Sequence, residues 1–174
     1  MNILVLNGSP RKGNTLAAIN AFAEGASEKH TVEIIDTYKL NIKPCMACES
    51  CGCSNGCVFD DDSNMIADKM IAADMVVFAT PVYWWGISAQ LKLVVDKLYC
   101  KAAHMKGKKI GVIACGGSPV GSEQYHLIEG QFKCIASFLE WYIMFHNSYF
   151  ASAKDDFASD ADAVAEMKAA GAAL

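Results

Sequence analysis

The sequence is short of positive charge, and this shortage excludes several classes of protein. Its 174 residues include 15 Lys and Arg against 19 Asp and Glu, a net charge of −4. Without a basic stripe, we expect no nucleic-acid partner and no contact with an anionic membrane. No apolar run approaches the roughly 20 residues of a membrane span, and no basic segment precedes the first one. These absences favour a soluble, cytoplasmic protein.

One binding motif and one catalytic arrangement are also missing from the chain. There is no Gly-x-Gly-x-x-Gly fingerprint, so no dedicated dinucleotide-binding domain is predicted. There is no recognisable pairing of a nucleophile with a base, which argues against a hydrolase. We therefore assign no side chain as a catalytic acid or base.

Short apolar runs alternate with segments of helical spacing along the whole chain. Such runs, when separated by helices, indicate a parallel sheet covered on both faces. The prediction is one α/β domain over residues 1–174, a doubly wound five-stranded parallel sheet in the flavodoxin-like order 2-1-3-4-5. Strands are predicted at 2–6, 31–35, 75–79, 110–115 and 141–145, and helices at 15–28, 64–73, 88–98, 124–139 and 161–172. The last helix is Ala-rich, and we expect it to fray at the surface.

The first strand leads through a glycine-containing turn into the first helix, with the sequence GSPRKGNT at 8–15. Free N–H groups and the helix dipole favour an anion at such a turn. Ser9 and Thr15 add hydroxyl groups, and Arg11 adds a charge-assisted contact. Asn14 stands where an ATPase P-loop has its lysine, which favours a terminal monophosphate over a triphosphate. The alternative is a plain tight turn with a helix cap.

Two further loops follow strands three and four. The first, at 80–86, contains Tyr83, Trp84 and Trp85. In the predicted sheet order it lies beside the phosphate loop at the switch point, where flavodoxin-like proteins hold FMN. Aromatic side chains suit the faces of an isoalloxazine ring, although they are also common in cores and subunit interfaces. The second loop, Cys115-Gly116-Gly117, is expected to line the pyrimidine side.

Five of the eight cysteines lie in an aperiodic stretch at about 38–62, too long for an ordinary connection. They are Cys45, Cys48, Cys51, Cys53 and Cys57. Crowded thiols in a cytoplasmic protein indicate metal binding or redox chemistry rather than structural disulfides. The stretch ends in Asp60-Asp61-Asp62, interpreted as a solvated helix start. The remaining cysteines, Cys100, Cys115 and Cys134, are predicted to be small buried hydrophobes.

Four of these thiols, Cys45, Cys48, Cys51 and Cys57, have the spacing Cys-x2-Cys-x2-Cys-x5-Cys. Compact spacing of this kind suits a [4Fe-4S] cluster, with Cys53 left spare. A zinc site and free thiols are the alternatives, because spacing alone does not choose the metal.

The segments LNGSPRKGNT and PVYWWGISAQLKLVVDKL resemble the NADPH-dependent FMN reductase family, and PCMACESCGCSNGC resembles its iron–sulfur flavoprotein branch. The resemblance runs from Met1 to about Gly117. One departure is Asp96-Lys97, where the family usually has Asp-Arg. The resemblance implies a homodimer or a dimer of dimers. It also assigns Ser9, Arg11, Asn14 and Thr15 to the FMN phosphate, with Gly13 in the same loop, and Pro81, Val82, Tyr83, Trp84, Trp85 and Gly86 to the isoalloxazine, with Gly116 and Gly117 at its far edge.

Two functions remain open from the sequence. The first is an oxidoreductase that takes hydride from NAD(P)H, as a transient co-substrate, onto FMN and passes electrons to a small-molecule or protein acceptor. The second is a non-enzymatic flavin and iron–sulfur carrier, reduced by a ferredoxin-like partner. A thiol- or metal-sensing module is a third hypothesis.

Overall fold

The structure is a computed structural model that describes all 174 residues. Short 3-10 turns cover Thr37–Lys39 and Leu98–His104. The strands and helices, in chain order, are β1 (Asn2–Asn7), α1 (Asn14–Ala26), β2 (Thr31–Asp36), α2 (Ser63–Ala72), β3 (Met75–Pro81), α3 (Ala89–Lys97), β4 (Lys109–Gly116), α4 (Glu123–Leu139), β5 (Tyr142–Phe150), α5 (Asp156–Ser159) and α6 (Ala161–Ala172). None of the helices combines the length and the apolar character needed to cross a membrane.

The five strands form one sheet in the order β2-β1-β3-β4-β5, and every neighbouring pair is parallel. This confirms the predicted doubly wound order and class. The largest difference is β5, which continues to Phe150 rather than ending at 145. Its added length carries the following loop to the edge of the sheet where β1, β3 and β4 also end.

The two faces of the sheet carry separate apolar cores. Alternate side chains of β1 and β3 point to opposite faces, as the period of two in a strand requires. Leu4 and Phe78 join one core with α2, α3 and α4, whereas Val5 and Val77 join the other with α1, α5 and α6. The cores hold the carboxyl ends of the central strands rigidly in place.

Helices cover both faces of the sheet, as predicted, and the central strands β1, β3 and β4 are almost entirely buried between them. The edge strands β2 and β5 are less well covered, and their side chains are mostly exposed or half-buried. An edge strand has a sheet neighbour on one side only, and the helices do not extend fully over it. Tyr142 and Met144 of β5 therefore remain exposed despite their apolar character.

The C-terminal helix is docked, contrary to the expected fraying. Gly25 of α1 and Gly171 of α6 let the two backbones approach so closely that a Cβ on Gly25 would overlap the Lys168 carbonyl. A Cβ on Gly171 would in turn overlap the Phe22 carbonyl. Met167 is fully buried beneath the contact. Amino-acid composition does not predict this packing, because Ala-rich helices occur both at surfaces and in tight helix pairs.

Candidate functional site

A pocket of about 390 Å³ opens at the carboxyl ends of the central strands, beside the first turn of α1. It brings together three of the segments singled out in the sequence. Two further residues, Ala151 and Lys154, come from the loop after β5 and were not foreseen. A longer prediction for β5 would have placed that loop at this edge. The lining residues are Ser9, Arg11, Lys12, Gly13, Asn14, Thr15, Pro81, Cys115, Ala151 and Lys154.

The turn that leads into α1 is held in place by its own hydrogen bonds. The Gly8 N–H donates to the Ala79 carbonyl at 2.7 Å, and the Ser88 hydroxyl donates to the Gly8 carbonyl at 2.7 Å. The Ser9 Oγ donates to the Arg11 carbonyl at 3.1 Å and accepts from the Arg11 N–H at 3.3 Å. These bonds fix the path of the turn at the rim of the pocket.

Positive potential converges on this pocket. Gly13 is the N-cap of α1 and offers no capping side chain, so the first-turn N–H groups of the helix face the pocket without an internal acceptor. Arg11, the only arginine in the chain, lines the pocket with Lys12 and Lys154. Free N–H groups, a helix dipole and cations together suit a phosphate-sized anion.

Asn14 lies at the pocket, but its side chain is used elsewhere. Its amide Nδ2 donates to the Ala153 carbonyl at 2.6 Å, and its Oδ1 accepts from the Phe157 N–H at 3.0 Å. These two bonds tie α1 to the loop that carries Lys154. Of the groups that Asn14 offers, the backbone N–H in the first helical turn is the one that remains for an anion.

Thr15 and Cys115 form the buried floor of the pocket. Burial raises the pKa of the Cys115 thiol to about 12, and a hydrogen bond with Thr15 opposes this only weakly. Cys115 is therefore a neutral thiol at physiological pH, as its interpretation as a small buried hydrophobe predicts.

The aromatic loop is a tight turn closed by a pair of hydrogen bonds between Tyr83 and Gly86, of 2.9 and 3.0 Å. Its central residues, Trp84 and Trp85, have φ of +46° and +61°. Both central φ values are positive, which defines a type I′ turn. This conformation is strained for bulky side chains. The turn displays both rings, with Trp84 91% exposed, which excludes a role in the core of the chain.

The third loop is packed against the aromatic loop. The Val82 N–H donates to the Cys115 carbonyl at 2.8 Å, and a Cβ on Gly116 would overlap the Val82 side chain. Gly117, by contrast, is exposed and has open space around its Cα. The Gly-Gly pair thus combines close packing at the first position with access at the second.

The cysteine loop surrounds a separate cavity of about 240 Å³. All four cysteines of the Cys-x2-Cys-x2-Cys-x5-Cys pattern line it, whereas Cys53 does not. Buried Cys100 is a fifth thiol on its wall, and exposed Cys134 contradicts the prediction that it would be buried. The cavity is lined by Cys45, Met46, Ala47, Cys48, Glu49, Cys51, Cys57, Val58, Phe59, Asp96, Lys97, Tyr99 and Cys100.

The four thiols share this cavity, but no three ligand side chains converge on one point as around a single ion. A [4Fe-4S] cluster is a multi-atom group whose four cysteine ligands surround it. Thiols spread around a cavity fit that group in number and in chemistry. The loop that carries them turns sharply, with positive φ at Ala47, Glu49 and Cys53.

The sequence predicts that the acidic run before α2 is solvated. In the structure this run is partly buried. The Asp61 side chain is fully buried and lies 3.5 Å from the Nζ of Lys97, which is itself 3% exposed. Burial acts to raise the pKa of Asp61, but hydrogen bonds from Ser63 and from the Lys43 N–H lower it overall. Burial likewise opposes the charge on Lys97, yet contacts with Cys57 and Asp61 raise its pKa overall.

Known proteins with similar sequences include two flavoproteins that share about a third of their residues with this chain. The iron-sulfur flavoprotein of Methanosarcina thermophila is 36% identical over 146 residues, which cover 81% of this chain and 72% of that protein. A putative NAD(P)H-dependent FMN-containing oxidoreductase of Bacillus subtilis is 30% identical over 150 residues, 80% and 79% of the two chains.

Solved structures support the fold. An NAD(P)H:quinone oxidoreductase from Methanothermobacter marburgensis superposes with a TM-score of 0.76 at 18% identity, over 99% of this chain and 98% of that one. The model of the family NADPH-dependent FMN reductase matches residues 1–154, a stretch that contains the phosphate-type turn, the aromatic loop and Lys154. The chain is therefore a flavodoxin-like oxidoreductase that belongs to the NADPH-dependent FMN reductase family.

Proposed function

We propose that this chain binds FMN in the pocket at the carboxyl ends of β1 and β3 and oxidises NAD(P)H through it. The observation that carries the proposal is the uncapped N-terminus of α1, which faces a pocket lined by Arg11, Lys12 and Lys154. A single anion site suits the one phosphate of FMN. It also explains how the protein can dispense with a dinucleotide fingerprint.

Each loop has its own role in this proposal. The α1 N–H groups and the cations hold the phosphate, and Ser9 and Thr15 shape the floor below it. Pro81, Val82 and Gly86 border the isoalloxazine with their backbone, while the rings of Tyr83, Trp84 and Trp85 cover it. Gly117 leaves its far edge accessible. FMN supplies the hydride-accepting chemistry when bound, and the protein binds and orients it.

The names of relatives favour NAD(P)H as the donor. One is called NAD(P)H-dependent and another an FMN-dependent NADPH-azoreductase. In the proposed reaction the nicotinamide lies transiently against the flavin. The reduced flavin then passes its electrons to a small molecule or a protein.

The test is anaerobic mixing of the FMN-loaded chain with NADPH and, separately, with NADH. Bleaching of the flavin absorption by either nucleotide supports the enzyme. If neither nucleotide bleaches it while a reduced ferredoxin does, the carrier function is correct instead. Replacing Arg11 with Ala removes one of the pocket cations, and Lys133→Ala provides a matched loss of one positive charge on the exposed face of α4.

We further propose that Cys45, Cys48, Cys51 and Cys57 hold a [4Fe-4S] cluster. The support is their shared cavity, the exclusion of Cys53 from it, and the iron–sulfur names of several relatives. When bound, the cluster supplies one-electron chemistry beside a cofactor that accepts two electrons. Purification without oxygen should yield iron and acid-labile sulfide that Cys48→Ser removes and Cys53→Ser, the matched control, retains. Zinc in place of iron would contradict the cluster and leave the FMN proposal intact.

A further inference from the structure

Lys97, the last residue of α3, is a buried cation on the wall of the cysteine cavity. Its ammonium Nζ donates to the Cys57 Sγ at 3.2 Å and lies 4.8 Å from the centre of the Phe59 ring. Lysine is rarely buried to this extent unless it has a specific partner. Cys57 is the only one of the four cavity cysteines that receives a hydrogen bond from a cation.

The position of this cation is fixed from the loop side. The buried carboxylate of Asp61 lies 3.5 Å from Lys97 Nζ. That carboxylate also accepts hydrogen bonds from the Lys43 N–H at 3.0 Å and the Ser63 N–H at 2.9 Å. Two backbone N–H donors therefore hold the Asp61 carboxylate, and its charge in turn holds Lys97 in place.

Cys57 is held equally firmly from the other side. Its N–H donates to the Asn64 Oδ1 at 2.8 Å, and the Asn64 Nδ2 donates back to the Cys57 carbonyl at 2.8 Å. This reciprocal pair attaches the last cysteine of the pattern to α2. Lys97 and Cys57 thus come from two anchored elements, and their contact is not an accident of a loose surface side chain.

We infer that Lys97 is a positioning residue for the iron–sulfur group, which fixes the Cys57 sulfur as a ligand and raises the reduction potential of the group bound there. This inference rests on the proposed cluster. The reduction potential of a cluster depends on its net charge and on the hydrogen bonds to its sulfurs. A buried cation that donates to a ligand sulfur stabilises the reduced state, which carries one more negative charge.

A purely structural role is the competing explanation, because removing Lys97 alone leaves the Asp61 carboxylate buried and unpaired. Two variants separate the roles. Lys97→Met removes the cation, and the double variant Lys97→Met with Asp61→Asn removes both charges. If Lys97 serves only to neutralise Asp61, the double variant restores every property. If it acts on Cys57, the double variant regains stability but not the reduction potential.

The experiment uses the full chain, purified anaerobically with FMN bound, and measures iron per chain, thermal stability and the potential in a dithionite titration followed by electron paramagnetic resonance. In both Met variants we expect the equilibrium constant for one-electron reduction of the cluster to fall about tenfold, which lowers its reduction potential by about 59 mV. Loss of iron with retention of FMN is the other result that supports the inference. Lys97→Arg should keep the wild-type potential because it keeps the charge. Lys133→Met, which removes an exposed lysine of α4 away from the cavity, should change nothing.

A double variant with wild-type iron content and potential would overturn the inference, even where Lys97→Met alone is unstable. Wild-type protein that contains no iron would overturn both this inference and the cluster proposal. Iron in the wild type with no response to either Met variant would overturn the role of Lys97 alone.

Discussion

At the scale of single residues, His146 on β5 is the clearest source of pH dependence. Its ring Nε2 is buried and has no hydrogen-bond partner. Burial lowers its pKa below the ordinary value, although Glu129 acts in the opposite direction. The fold therefore keeps the ring neutral, whereas the unfolded chain takes up a proton near pH 6.5. Stability that depends on His146 is complete above about pH 6.5 and is lost as the pH falls through the pKa in the folded state.

We expect the free energy of unfolding to fall below pH 6.5 with a slope from His146 of at most about 1.4 kcal/mol per pH unit, the value for one proton. Substituting His146→Gln should remove that part of the slope. Urea unfolding at pH 5, 6, 7 and 8 measures it. Above pH 7.5 the free energies of unfolding of the wild type and of His146→Gln should change in parallel with pH. If they stay parallel down to pH 5, the proton uptake occurs at another residue.

At the scale of elements, the type I′ turn between β3 and α3 stores strain that its sequence does not relieve. Asn-Gly is the preferred pair for such a turn, yet Trp84 and Trp85 occupy it with positive φ. Replacing them by Asn and Gly should stabilise the FMN-free protein by about 1–3 kcal/mol. The same change should weaken FMN binding about tenfold through lost aromatic contacts.

Thermal unfolding without FMN and a fluorescence titration with FMN measure the two effects. The control is the variant with Phe at both positions, which should keep both the strain and the binding. If the Asn-Gly variant binds FMN as tightly as the wild type, the rings serve an interface rather than the flavin.

The contact between α1 and α6 depends on Gly25 and Gly171. A Gly→Ala substitution in this contact should therefore have the opposite effect on stability to the same substitution in an open part of α4. Gly171→Ala places a Cβ against the Phe22 carbonyl and should destabilise the protein by about 1–3 kcal/mol through overpacking. Gly130→Ala lies in α4 with open space around it and should stabilise by about 0.5–1 kcal/mol. Urea unfolding compares them directly. A neutral Gly171→Ala would mean that α6 is not tightly docked.

At the scale of the whole molecule, the phosphate pocket links ligand binding to global stability. A ligand that binds only the folded chain at 100 times its Kd stabilises it by about 2.7 kcal/mol. We expect this from FMN, followed as a rise in the thermal unfolding temperature. Riboflavin has the same ring system without the phosphate, and at the same concentration it should give a much smaller rise. Equal effects of the two ligands would contradict phosphate binding at α1.

Much of the fold and part of the site followed from local sequence. Parallel central strands are buried on both faces, so β3 appears as the continuous apolar run at 75–79, recognisable without its neighbours. The turn from β1 into α1 is equally local, since its glycines and the first helical turn lie within 8–15. The sheet order then brought the turn, Pro81 and Cys115 to one edge.

Tertiary structure decided what depends on residues distant in the chain. Lys154 reaches the pocket only because β5 extends further than its apolar run and Asn14 clamps the loop that follows. Asp61 looks like part of a solvated acidic run until α3 places Lys97 against it. The burial of a charge depends on where its partner lies in space, and spacing along the chain does not encode that. The spacing along the sequence identifies the four cysteines of the pattern. Their arrangement around one cavity, beside the buried Lys97, follows only from the folded loop.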